Sequence, residues 1–395
     1  VLSWAAQPRD NTMHEAGSYG YLIETVVPRE KLVEGEPIKI RLEVLEGMNG
    51  GIAVYGKDFG RFPLDPTVVF TKKRQHLAVA SALYTNPLQT AEGTPVLMGD
   101  PFAYEHDGVY YLTGTTGLPE GEGFAYYTSS DLITWEYKGA LYRKPEKHIG
   151  TTAFWAPEVK YYKGRFYLSY SCYVPTSDLA ETCLAVSDNP WGPFEDLYTP
   201  WVDFGYSVID SHIFVDDDDI PYLYFSRNDS GDGIGIGTNY VVRLKKNLSG
   251  ADGEPRLVSE ASQPWEKVNW EKNRCNEGPF VLKHNGTYYM TYSANDTGYE
   301  FYGVGVATAK HPLGSWTKYA DNPLMTTDLS RGISSPGHNS IITSPEGNLY
   351  IIYHRHADAH CEKPNWDRVV CMDRIYFDET GKLKIAGPTN AIPHQ

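Results

Sequence analysis

The sequence predicts an all-β protein: a five-bladed β-propeller preceded by a small β-rich, sandwich-like N-terminal segment. Three observations point there. One phrase, a short strand, a tight polar turn and an aromatic strand, occurs five times between residues 100 and 352. The chain carries 37 Gly, 26 Pro and 30 Tyr, the composition of many short strands joined by turns. No amphipathic helical period runs longer than two turns, which argues against α/β folds.

Residues 1–90 read as an accessory segment and 91–395 as the propeller. In the first part Pro37-Ile-Lys-Ile-Arg-Leu-Glu-Val-Leu45 alternates with period two, as a half-buried strand does. Gly51–Tyr55 and Thr67–Phe70 look like further strands, and Asn86-Pro87-Leu88 to Thr94-Pro95 reads as a linker. The five copies then begin at Asp100-Pro-Phe, Ala156-Pro-Glu158, Asp210-Ser-His, Glu277-Gly-Pro and Gly337-His338-Asn. Their reference tyrosines, Tyr110, Tyr167, Tyr222, Tyr288 and Tyr350, recur every 55 to 66 residues. A third and a fourth strand follow most copies, and four strands per repeat describe a propeller blade. A parallel β-solenoid would need a shorter and more regular repeat.

Composition narrows the function classes. The net charge is −15, which argues against nucleic acid, whose binding depends on neutralising phosphates. No apolar run approaches the ~18 residues of a membrane span. The sequence does not begin with Met and shows no signal peptide, as a processed form would. The five cysteines lack metal-type CxxC spacing; a Cys172–Cys183 or Cys361–Cys371 bridge and buried free thiols both stay open. The expected location is secreted, periplasmic or cell-surface, with the cytoplasm left open.

The first strand of each propeller blade lines the central channel, so equivalent positions converge at one mouth. Counting back from the reference tyrosines, Asp100, Asp210, Glu277 and His338 stand ten to twelve residues away, and Ala156 fills the slot of the second blade. Three carboxylates and an imidazole thus share one register. Like charges held close raise at least one pKa, and such clusters bind a cation or carry out acid–base chemistry. Glycoside hydrolysis needs one carboxyl as acid and another as base or nucleophile, and a third can tune the acid. A calcium-only site is the non-catalytic alternative. The run Asp216–Asp219 sits at a hairpin turn, the far end from this cluster, and reads as a solvated turn. Trp155, beside Ala156, reads as a sugar-ring wall or as blade packing.

Gly99-Asp100-Pro101-Phe102, Phe154-Trp155-Ala156-Pro157-Glu158, Ile209–Asp216, Glu277-Gly278-Pro279 and Gly337-His338-Asn339-Ser340, in this order over some 300 residues, resemble glycoside hydrolase family 43. The resemblance implies an inverting five-bladed propeller glycosidase. Asp100 would be the general base, Glu277 the general acid, and Asp210 the residue that orients the acid and modulates its pKa. His338 would hold water or a structural calcium on the channel axis; no cofactor is required for the chemistry. Phe102, Trp155, Ser211, Arg355 and Arg368 would contact substrate. Asp218-Asp219-Ile220-Pro221 departs from the family's Asp-Gly turn without moving Asp210. The implied activity is exo-α-L-arabinofuranosidase on an oligosaccharide or polysaccharide, in the setting of xylan and related plant glycans. β-Xylosidase, galactan- or arabinan-active hydrolase and a non-catalytic carbohydrate-binding propeller are the alternatives.

Overall fold

The computed structural model describes residues 85–118 and 121–390. The strands expected at 37–45, 51–55 and 67–70 lie outside the described residues, as does nearly all of the accessory segment.

The described chain is built of strands. The first sheet holds β1 (Gln89–Thr90), β2 (Gly99–His106), β3 (Val109–Thr115), β4 (Gly123–Ser129) and β5 (Thr134–Arg143). The second holds β6 (Thr152–Tyr162), β7 (Arg165–Val174), β8 (Leu179–Ser187) and β9 (Glu195–Tyr198). A third blade, β10 (Val208–Val215), β11 (Pro221–Gly231), β12 (Ile234–Arg243) and β13 (Arg256–Glu260), joins a fourth, β14 (Asn273–His284), β15 (Thr287–Ala294), β16 (Gly303–Ala309) and β17 (Thr317–Lys318), through a short parallel pairing of β12 with β14. The last is β18 (Gly337–Thr343), β19 (Leu349–His356), β20 (Arg368–Phe377) and β21 (Leu383–Ile385). The leading strands β2, β6, β10, β14 and β18 each touch the next, and β18 returns to β2, so five blades close around one axis.

Local chemistry explains the repeat. The hairpins turn at Asp107-Gly108, Lys163-Gly164 and Asn285-Gly286, each pair with φ between 47° and 84°, which matches the twist of the flanking strands. Central strands are buried on both faces: β7 exposes little beyond Arg165. Aromatic rings fill the space between blades, with Trp135, Phe124, Tyr170 and Tyr353 fully buried. Burying one large apolar side chain contributes roughly 1.5–3 kcal/mol.

The expected linker at 86–95 is instead part of the ring. β1 pairs in parallel with β5, Leu88 is fully buried, and its N–H donates to the Val370 carbonyl at 2.8 Å. The Asn86 side chain donates to the Met372 carbonyl and accepts from the Met372 N–H, both at 2.8 Å. Residues 86–98 therefore stitch the first blade to the last, a role that a leucine between two prolines does not announce.

Neither proposed disulfide forms. Cys172 and Cys183 are buried thiols with sulfurs 3.8 Å apart, and Cys371 is buried while Cys361 lies in a loop against the Asp358 carbonyl. No helix among the described residues is long and apolar enough to cross a membrane.

Candidate active site

Each leading strand carries the same bulge. Register breaks fall between Gly99 and Phe102, Trp155 and Glu158, Ile209 and His212, Glu277 and Phe280, and Gly337 and Ser340. One residue inside each break is left-handed: Asp100 (φ 48°), Ala156 (45°), Asp210 (54°), Gly278 (58°) and His338 (46°). Asp and His tolerate this conformation better than most residues; Ala adopts it rarely, and such strain gathers at functional sites. The bulges turn the ends of five strands toward one mouth of the channel.

This geometry corrects one part of the sequence register. Asp100, Ala156, Asp210 and His338 are equivalent, but the fourth blade puts Gly278 in that slot and Glu277 one residue ahead. A Cβ on Gly278 would meet the His338 ring at 3.2 Å, so glycine is the residue that fits. Its N–H donates to Asp210 Oδ2 at 3.0 Å. Trp155 is the second blade's counterpart of Glu277 and remains 41% exposed.

Asp100 is almost enclosed. Its Oδ1 lies 2.8 Å from Arg368 Nη1 and 3.3 Å from His338 Nδ1, and Thr115 donates to Oδ2 at 2.5 Å. Burial alone would raise its pKa; Arg368, His338 and Thr115 outweigh that and hold the carboxyl well below the usual carboxylate range. The Asp100 N–H donates to His354 Nδ1 at 3.0 Å, while His354 Nε2 meets Thr297 Oγ1 at 2.9 Å. Burial, with Arg368 nearby, keeps His354 neutral, so Nε2 carries its proton.

Glu277 is the opposite case. Burial first, then the neighbouring Asp210, push its carboxyl up to about 7. Tyr302 donates to Oε1 at 2.7 Å and the Cys275 thiol to Oε2 at 3.2 Å. Asp210 accepts from Gly278 N–H and from Ser226 Oγ at 3.1 Å; burial and the Asp100 charge together raise its pKa despite His338. His338 resists burial and is shifted upward by Asp100, Asp210 and Glu277, which favours the imidazolium.

The calcium expected at His338 meets no preassembled cage. Calcium takes six to eight oxygen ligands. Among the described residues, the one group of three or more His, Cys, Asp or Glu ligand atoms close enough to share an ion is His148, Cys172 and Cys183.

The other expected contacts divide. Arg368 is in the cluster. Arg355 is not: it is buried at the seam, donating to Asn390 Oδ1 at 2.7 Å. Neighbours on a strand face opposite ways, so His354 faces Asp100 and Arg355 points away. Ser211 is fully buried, and its Oγ has no hydrogen-bond partner. Phe102 lies past the bulge, packed 6.3 Å from Phe280. There the channel widens to a cavity of about 390 Å³ lined by Phe102, Glu158, His212 and Phe280, and none of Asp100, Asp210 or Glu277 borders it. Glu158 Oε2 pairs with His212 Nδ1 at 2.7 Å. Of the acidic turn, Asp217, Asp218 and Asp219 are exposed as expected, whereas Asp216 is held at 2.6 Å by Lys283. Sequence reading missed His354, Tyr302, Cys275 and Thr115. Strand alternation beside Arg355 would have pointed to the first; Thr115 ends β3, Tyr302 lies in the loop before β16 and Cys275 two residues ahead of Glu277 on β14, none in a motif of its own.

Comparison with known proteins agrees with this arrangement. A profile of glycosyl hydrolases family 43 matches residues 84–383. The chain belongs to that family. This family-43 chain is 30% identical over 322 residues to the β-D-galactofuranosidase xynD of Aspergillus niger, covering 76% of itself and 86% of that relative. It is 28% identical to an extracellular exo-α-(1→5)-L-arabinofuranosidase of Streptomyces avermitilis, over 70% of this chain and 57% of the other. Among solved structures, a thermostable family-43 glycoside hydrolase superposes with TM-score 0.73 at 40% identity, covering 79% of this chain and 98% of that one. The family-43 chain is therefore a glycoside hydrolase acting on carbohydrate, and the binding-only propeller gives way to an enzyme.

Proposed function

We propose that this enzyme removes terminal furanose residues by inversion, with α-L-arabinofuranosides as its substrates. One observation carries the chemistry: two carboxyls at one channel mouth sit in opposite surroundings, Asp100 against Arg368 and His338, Glu277 buried with Asp210 nearby. Asp100 is kept ionised and Glu277 is kept protonated close to neutral pH. Widely split carboxyl pKa values assign acid and base. Asp100 takes a proton from water as that water attacks the anomeric carbon, and Glu277 gives its proton to the departing oxygen. Asp210, bonded to the Gly278 N–H beside Glu277, orients the acid and keeps its proton affinity high. Trp155, exposed at the mouth, offers a face for a sugar ring. None of these steps needs a metal.

The sugar assignment leans on relatives described as arabinofuranosidases. A second reading, β-D-galactofuranoside, is favoured by the 30% identical relative. The two sugars share their ring configuration and differ in the exocyclic chain, so one pocket suits either. An extracellular location is supported by the relatives so described.

The test is hydrolysis of 4-nitrophenyl α-L-arabinofuranoside, β-D-galactofuranoside and β-D-xylopyranoside, with the anomer first formed followed by NMR. Turnover of the arabinofuranoside with inverted product is expected. A retained anomer would overturn the mechanism, and preference for the xyloside would overturn the sugar.

A further inference from the structure

We propose that Tyr302 is a positioning residue that ties the proton-donating carboxyl of Glu277 to the water-activating side of the site, with Cys275 as the second arm of the same grip. The proposal rests on Glu277 being the acid and Asp100 the base.

Tyr302 is fully buried, yet its hydroxyl reaches Glu277 Oε1 at 2.7 Å. Cys275 holds Oε2 at 3.2 Å from two residues upstream on the same strand. Each oxygen of the carboxyl is thus met by a separate donor. The Tyr302 ring lies parallel to His354, with centroids 5.7 Å apart and planes 4° from parallel. His354 in turn receives the backbone N–H of Asp100. A single aromatic side chain therefore touches the acid at its tip and, through the stacked imidazole, the backbone of the base.

The ring is closely packed. A Cβ on Gly337 would come within 2.3 Å of Tyr302, so only a glycine leaves room for it there. Gly337 pairs with His354 across β18 and β19, and His354 is anchored to Thr297 at 2.9 Å. Inversion depends on keeping acid and base far enough apart to admit one water, and small displacements of catalytic groups are costly. A stacked, walled-in tyrosine bonded to a carboxyl suits that task.

The test is Tyr302→Phe, assayed on an activated aryl glycoside and on a disaccharide of the same sugar, with Glu277→Gln as reference. A phenolate leaves with little help, whereas a sugar alkoxide needs the acid. We expect kcat on the disaccharide to fall about tenfold, because the hydrogen bond that orients the Glu277 carboxyl is lost, with KM unchanged. The aryl substrate should lose less than threefold. The basic limb of the pH profile should move up by about half to one unit, because the lost bond favours the carboxylate. Cys275→Ala should show the same signs at smaller size, and it carries the test if Tyr302→Phe does not fold. Equal losses on both substrates with an unmoved limb would overturn the positioning role. If Glu277→Gln itself shows no dependence on leaving group, the acid assignment beneath the proposal is what fails.

Discussion

Arg368 and Asp100 stand 268 residues apart in sequence and 2.8 Å apart in space, Nη1 to Oδ1, across the seam between the last blade and the first. This contact is the main force holding the Asp100 carboxyl ionised against its burial. Arg368→Met should therefore raise the Asp100 pKa and move the acid limb of kcat/KM upward. Removing one partner of a buried ion pair costs up to about 3–5 kcal/mol; His338 and Thr115 remain on the carboxyl, so the melting temperature should fall by part of that. The linkage has a definite sign. A depressed carboxyl contributes stability above its unfolded value of 3.8, lost as pH falls toward the folded value. Wild type should accordingly lose more stability than Arg368→Met on acidification, as melting from pH 6 down to pH 3 would measure.

Glu277 titrates the other way. With its carboxyl pushed up to about 7, turnover should decline above neutrality as the acid loses its proton. Glu277→Gln should lower kcat on unactivated substrates by about 10²–10⁴ and remove that basic limb. An unchanged limb in the variant would assign the proton to another group.

Gly278→Ala tests the bulge itself. The residue is left-handed, and its new Cβ would press on His338 at 3.2 Å. The backbone penalty of a left-handed alanine is about 1–2 kcal/mol, a melting shift of a few degrees. The kinetic loss should be larger than that, because the same displacement moves the Gly278 N–H from Asp210. A variant that melts lower yet turns over normally would contradict the coupling of bulge and site.

Arg355→Met should leave KM within about twofold of wild type while lowering stability by roughly 1–3 kcal/mol, since it removes a buried hydrogen bond at the seam. A large rise in KM with an unchanged melting point would restore Arg355 to the substrate site.

Exhaustive treatment with a chelator should leave kcat within about twofold, because carboxyl chemistry alone carries both proton transfers. Loss of activity with the fold retained, regained on adding calcium, would show that an ion at His338 takes part.

The five blades were legible because each repeats the same hairpin chemistry, so a single phrase announces its copies. Asp100 and Asp210 were legible for the same reason. Glu277 was found in the right strand but in the wrong slot, because the hairpin turns differ in length, from two residues at 285–286 to five at 216–220, so spacing counted from a tyrosine beyond the turn blurs the slot by one or two residues. Arg355 was favoured over His354 because both sit in one short string, and a shift by one residue on a strand exchanges its faces. Tyr302 reaches Glu277 from the loop before β16 and Cys275 from two residues ahead on the same strand, contacts that no motif encodes. The stretch 86–95 resembled a linker because its proline and polar residues hide Leu88, which is buried only once the last blade arrives.

The stitching of residues 86–98 to β20 also sets when activity can begin. As the chain leaves the ribosome, Asn86 and Asp100 appear long before Met372 and Arg368, their partners across the seam. Until the last blade docks, Asp100 lacks His338, His354 and Arg368, the groups that enclose and position it. A chain released short of the final blade would carry Asp100, Asp210 and Glu277 and still lack a positioned base. Hydrolysis is thereby reserved for the completed ring.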